Sequence, residues 1–280
     1  MTPATNPQQE SVILALSDIH YGKRTADYNP DVAKQRLANF GEKVRRIRHN
    51  ERNYRAFPEL VVCLLGDVVD GAGIFKTQAH YQTITDPRQQ ASDLADLLAE
   101  WVRGMGKAFP SVRVEAVAGN HGRVGQFARD SASWDIDCYN QLRRELKGDG
   151  IKVNYPDTRP YPEGPDEDPF TKIIKVRKHK YLLAHGHGIR MYLRLPYYGI
   201  TAAAIDWYMM FGGFDAAMTG HFHTAAKIYS QSIPVYLTGT PVTMDPFGIQ
   251  AMRRKEINTW WMLGVSNNHS ITDEWELSLV

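Results

Sequence analysis

Five short segments of the 280-residue chain combine carboxylate, amide and imidazole groups with glycine. In order they are Asp18-Ile19-His20, Gly66-Asp67-Val68-Val69-Asp70, Gly119-Asn120-His121, His185-Gly186-His187 and Gly220-His221-Phe222-His223. Hard carboxylate oxygens beside borderline imidazole nitrogens suit a divalent transition metal. Residues i and i+2 of a strand share a side, so Asp18 with His20, and His221 with His223, are expected to meet one ion together. Taken singly, each segment has an ordinary explanation. Asp-x-His is commonly a loop pair, Gly-Asp-x-x-Asp a turn with a helix cap, and His-Gly-His a loop with one core-facing histidine. As a set, four of them at the ends of apolar runs, they point to a dinuclear metal site.

The runs before these segments read as buried strands: Val12–Leu16, Leu60–Leu65 and Val112–Ala118. Helical patterns lie between them. Asn29-Pro30 and Asp86-Pro87 look like caps with a first-turn proline, each followed by apolar residues every three or four positions; Trp134–Leu146 is a third helix. This alternation is the grammar of an α/β fold, whose ligands gather beyond the C-terminal ends of the strands. The second half is richer in strands: Thr171–Val176, Tyr181–Ala184, Phe214–Met218, Ala225–Tyr229, Val235–Leu237, Thr259–Val265 and Trp275–Val280. Arg177–Lys180 reads as a charged hairpin turn and Asp157–Pro169 as a surface loop. The apolar Tyr197–Phe214 stretch, interrupted by Asp206 and glycines, is expected to be a buried or interface helix and a route to homo-oligomers.

Composition narrows the class. Hydrophobic residues at 43% and charged residues at 23% exclude a disordered chain and a collagen-like fibre. With Lys+Arg at 33 against Asp+Glu at 31, a polybasic nucleic-acid binder is disfavoured. Two cysteines are too few for a disulfide framework, and Cys63 lies in an apolar run. A reducing, cytoplasmic location with no membrane segment is expected, since Met1–Glu10 is polar and unlike a signal peptide. Residues 1–10 are expected to be disordered or extended, and residues 11–280 a single domain.

The ordered set from Asp18 to His223 resembles the signature of the calcineurin-like metallophosphoesterases. The resemblance implies a four-layer αββα sandwich: two mixed sheets packed face to face, with helices outside. It also implies roles. Asp18, His20, Asp67 and His223 would hold one ion. Asp67, Asn120, His185 and His221 would hold the other, with Asp67 bridging. His121 would face substrate as a leaving-group acid, and Asp70 would orient it. His187 matches no general ligand. Manganese is the first expectation for both ions, with zinc, iron or nickel as alternatives. The chemistry implied is in-line attack on phosphorus by a metal-activated hydroxide.

Two departures bear on substrate. Many relatives have an acid directly after Gly-Asn-His; here Gly122-Arg123 follows, and Arg123 is a candidate phosphate contact. Protein-phosphatase relatives have arginine after Gly-Asp-x-x-Asp; here Gly71 follows Asp70, which weakens that reading. The segments after Asp70 and His187 hold Phe75, Lys76, Gln78, His80 and Tyr81, then Arg190, Tyr192, Arg194, Tyr197 and Tyr198. Aromatic and basic groups at a site rim can stack bases and grip phosphates. A phosphodiesterase or nuclease acting on DNA or nucleotides is therefore expected. The alternatives are a phosphomonoesterase on a small or protein substrate, and a non-catalytic module on a degenerate metal site. The complete ligand set argues against the latter.

Overall fold

The computed structural model describes residues 8–76, 78–125, 127–129, 132–156, 168–193, 195–244 and 256–280. Its first sheet is built from β1 (Gln8–Leu16), β2 (Arg55–Leu65), β3 (Ser111–Val117), β4 (Lys152–Asn154), β10 (Thr259–Val265) and β11 (Asp273–Ser278). The order is β11-β10-β1-β2-β3-β4. Strands β1 to β4 run parallel; β10 is antiparallel to β1, and β11, antiparallel to β10, runs with β1 again. The second sheet holds β5 (Thr171–Val176), β6 (His179–Ala184), β7 (Ala216–Thr219), β8 (Ala226–Ser230) and β9 (Ile233–Leu237), in the order β5-β6-β7-β9-β8. There β6, β7 and β9 are parallel, with β5 and β8 antiparallel at the edges.

Three helices cover the first sheet: α1 (Pro30–Glu51), α2 (Pro87–Gly106) and α3 (Trp134–Leu146). The asparagine and aspartate read as caps do cap. Asn29 Oδ1 accepts from the Asp31 and Val32 amides at 2.9 and 3.0 Å, and Asp86 Oδ1 from the Arg88 amide at 2.9 Å. The period-2 alternation of β1 serves two cores at once. Val12, Leu14 and Leu16 pack toward the helices, whereas Ile13 and Ala15 pack toward Val176, Leu183 and Met218 of the second sheet. Burial on both faces explains why these strands read as unbroken apolar runs. The outer face of the second sheet packs on α4 (Tyr197–Met210). The layers are thus αββα.

Several boundaries differ from the sequence reading. β1 begins at Gln8, so Gln8–Glu10 are extended, while residues 1–7 lie outside the described residues. The charged turn shortens to Arg177-Lys178, with Arg177 at φ 54°, because β6 starts at His179. Of the Asp157–Pro169 loop, only Asp168 and Pro169 are described. Helix α4 is not buried: Ile200 and Ala204 alone are enclosed, whereas Tyr198 is 66% and Met209 77% exposed. Its sequence is apolar all round, so hydropathy could not reveal which face meets the sheet. Among the described residues no helix is long and apolar enough to cross a membrane.

The layer assignment makes a test of stability. Leu14 is fully buried, so Leu14→Ala should cost about 3 kcal/mol through lost transfer energy and a cavity. Met209→Ser should cost less than about 0.5 kcal/mol. Urea unfolding followed by circular dichroism reads both; equal losses would contradict the exposure of α4.

Candidate metal centre

All five polar segments leave their strands at the same end of the two sheets. β1, β2 and β3 deliver Asp18, Asp67 and Asn120; β6 and β7 deliver His185 and His221. The strand-alternation rationale for Asp18/His20 and His221/His223 does not hold. These residues lie past the strand ends, and Asp18, His20, Asp67, His221 and His223 all adopt left-handed backbone, with φ between 46° and 70°. This conformation is costly outside glycine and persists only where surrounding contacts enforce it. Here they do. Asp18 donates its amide to the Gly66 carbonyl, and His20 donates its amide to the Asp67 carbonyl. Thr240 Oγ1 holds the Asp18 carbonyl at 2.7 Å.

Two groups of ligand atoms result. Asp18, His20 and His223 offer atoms within 4.8 Å of one another, and so do Asp67, His185 and His221. In the first group, His223 Nε2 stands 3.3 Å from Asp18 Oδ1 and 3.1 Å from His20 Nε2. Asp18 Oδ2 is already used, accepting from Ser17 Oγ and from the His221 amide, which leaves Oδ1 facing the group. In the second, His185 Nε2 stands 3.1 Å from Asp67 Oδ2 and 2.9 Å from Asn120 Oδ1. His185 Nδ1 donates to the Leu65 carbonyl at 2.8 Å, which fixes the ring and aims Nε2 inward. Asp67 also groups with His20 and His121, so it lies between the two sets.

The remaining candidates are placed around this pair. Asp70 faces two imidazoles, not one: its Oδ1 is 3.4 Å from His20 Nδ1 and 3.6 Å from His121 Nδ1. Gln82 Nε2 donates to Asp70 Oδ2 at 2.7 Å. His121 keeps about a fifth of its side chain exposed and carries the Phe75 ring at 4.5 Å. Arg123 Nε donates to the Asn120 carbonyl at 3.1 Å, which ties that side chain to the Asn120 loop. The His187 ring lies 5.8 Å from that of His185 and 6.4 Å from that of His221. Arg194 lies outside the described residues.

One residue at the centre was not legible in the sequence. Asp135, at the start of α3, is fully buried, and its carboxylate accepts from the backbone amides of Asp67, Val69 and Gly119. A Ser-x-Asp at a helix start reads as a cap, and Ser133 does cap α3; no local signal directs Asp135 toward two other strands.

The electrostatics match a cation site. Burial opposes ionisation of Asp18, but His223 and His185 outweigh it and hold its carboxyl at about 2. Burial also opposes the charge on Asp67, yet His185 and His121 keep it well below the usual carboxylate range. Burial and the charge of His121 hold His20 down at about 4; burial and the charge of His185 hold His221 down at about 3. His185 goes the other way: burial disfavours its charged form, but Asp67 and Asp18 push it up to about 9. Asp18 Oδ1, His20 Nδ1, Asp70 Oδ1 and His121 Nδ1 are buried with no hydrogen-bond partner. Of these, Asp18 Oδ1 faces the first group, and an unsatisfied buried carboxylate oxygen beside the His20 and His223 rings fits a donor set for divalent ions, whereas Asp70 Oδ1 faces the Nδ1 atoms of His20 and His121.

A model of the calcineurin-like phosphoesterase family matches residues 11–225. No curated protein matches in sequence. Among solved structures, zinc-bound Vps29 from Entamoeba histolytica is 13% identical, over 96% of this chain and 99% of that one, at a TM-score of 0.42. An archaeal phosphodiesterase is 13% identical, over 95% and 99%, at 0.40. A hypothetical protein from Pyrococcus horikoshii is 12% identical, over 96% and 88%, at 0.44.

Metal uptake should release a proton. With its pKa pushed up to about 9, His185 is expected to carry one on the nitrogen that faces Asp67 and Asn120, and a divalent ion bound there would displace it. Calorimetry in buffers of different ionisation enthalpy should show release of about one proton at about pH 7.5, fading above pH 9, with affinity rising across that window. No release at about pH 7.5 would contradict the protonated His185.

Proposed function

Since the chain belongs to the calcineurin-like phosphoesterase family, which makes it a metal-dependent phosphoester hydrolase, we propose that its substrates are phosphodiesters of nucleic acids or nucleotides. The observation that supports a dinuclear centre is the position of Asp67 between two groups of candidate ligand atoms. In this reading residues 11–280 act as one domain, closed by the pairing of β1 with β10. Asp18, His20, Asp67 and His223 would hold one ion; Asp67, Asn120, His185 and His221 would hold the other. Bound there, a pair of divalent ions, manganese by preference, supplies Lewis-acid stabilisation of the phosphoryl oxygens and a water of lowered pKa.

The chain's own groups do the rest. Burial disfavours charge on His121, but Asp67 and Asp70 outweigh it and raise its pKa, so the ring is suited to give a proton to the leaving oxygen. Asp70 orients that ring and His20 together. Arg123 completes the contact to phosphate from the Asn120 loop. Contact between copies of the chain is assigned to the exposed face of α4.

Two features favour diesters. A Cβ at Gly71 would lie 2.1 Å from the His121 carbonyl oxygen, and the residue sits at φ 70°. An arginine therefore cannot occupy that position without moving the His121 loop, and a dianionic monoester would lack that charge. The exposed Phe75 ring on His121 offers aromatic surface beside the proposed leaving-group acid, and the exposed Tyr192, in the segment that follows His187, is read as a second aromatic contact for substrate.

With Mn²⁺, kcat/KM should be higher for bis-p-nitrophenyl phosphate than for p-nitrophenyl phosphate. Phe75→Ala with Tyr192→Ala should reduce turnover of a dinucleotide by about tenfold or more, with a smaller loss on the aryl diester, because remote binding energy positions the reacting phosphate. A monoester preference untouched by these substitutions would favour the phosphomonoesterase.

A further inference from the structure

We propose that Asp135 is the positioning residue that sets Asp67 against Asn120, without itself touching a metal or substrate. The proposal rests on the dinuclear reading of the site. The parallel ladder between β2 and β3 ends at Leu65 and Val117. Beyond it both chains turn out of the sheet, and the Asp67 and Gly119 amides lose any strand partner. One oxygen, Asp135 Oδ2, accepts from both, at 3.0 and 2.7 Å. The other, Oδ1, accepts from the Val69 amide at 3.1 Å. A side chain thus continues the ladder where the backbone cannot. Buried amides left without such an acceptor would be costly.

The clamp acts on the ligands. Asp67 is held at its own amide, and Asn120 is held at the neighbouring Gly119. The Asp67 carboxylate in turn accepts from the His121 amide at 2.7 Å, which closes a ring from Asp135 through both turns. The loop passes tightly round the Asp135 carboxyl: a Cβ at Gly122 would lie 2.9 Å from its Cγ and 3.0 Å from Oδ1. The same Cβ would lie 2.9 Å from Ser133 Oγ, so a glycine at 122 leaves room for both the carboxylate and the capping hydroxyl of α3. An acidic side chain at 122 would project into the same space and could reach the same amides.

This equivalence supplies the test. Asp135→Asn keeps the size but replaces one acceptor oxygen with an amino group, so at least one backbone amide faces a donor. Gly122→Asp combined with Asp135→Gly returns a carboxylate from the other side. The metal-stripped full-length proteins are titrated with Mn²⁺ by calorimetry, and their metal-free melting temperatures are read by circular dichroism. Asp135→Asn should lose about 10- to 100-fold in affinity at the site that includes Asn120, and the double variant should recover to within about threefold. A lower melting temperature with unchanged Mn²⁺ affinity would make Asp135 a merely structural residue and overturn the proposal. If Asp135→Asn fails to fold, the double variant decides: folding with wild-type Mn²⁺ binding supports the clamp, and failure overturns it. Should the wild type bind Mn²⁺ but hydrolyse no phosphoester, the substrate reading falls while the affinity comparison still judges Asp135.

Discussion

Asp18 and Asp67 are carboxylates with essentially no solvent contact, set at the ends of adjacent parallel strands. Buried charge of one sign is tolerated only when opposite charge and hydrogen bonds surround it. Much of the architecture at this end of the sandwich answers that requirement. Each carboxylate spends one oxygen on backbone amides and keeps the other for the centre. Asp67 and Asp18 raise the pKa of His185, which favours a proton on the ring nitrogen set between Asp67 and Asn120.

Holding those oxygens in register requires backbone that ordinary strands do not supply. Five of the seven proposed ligands have positive φ, so the site is built from the turns that follow the strands. The sheets contribute rigidity and direction. The side chains of Ser17, Thr240, Gln82 and Asp135 contribute the turn geometry, each by bonding to a ligand, to a ligand's backbone or to Asp70. Such turns are strained locally and stabilised by layers that are fully packed.

Much of this was legible in the sequence, for physical reasons. Strands buried on both faces must be continuously apolar, so β1, β2 and β3 stood out, and polar residues at their ends were conspicuous. Asn29-Pro30 and Asp86-Pro87 marked helix starts because their side chains do local work. What could not be read depends on distance or on missing contrast. Asp135 is 68 residues from the Asp67 amide it binds, and its local setting explains it as part of a cap. Asp70 was expected to orient His121 alone; its second partner, His20, comes from another strand end. β4 has three residues with one buried, too little pattern to register. Strand alternation gave a wrong reason for pairing Asp18 with His20, since apolar runs reveal where a strand stops and not how the chain turns afterwards.

The central claim is that Asp67 is shared by two ions. Crystals grown with Mn²⁺ and measured across the manganese absorption edge would show it directly. Two anomalous peaks about 4 Å apart, with the Asp67 carboxylate between them, are the expected result. A single peak, or two peaks with Asp67 bound to only one, would contradict the shared carboxylate and the dinuclear reading built on it.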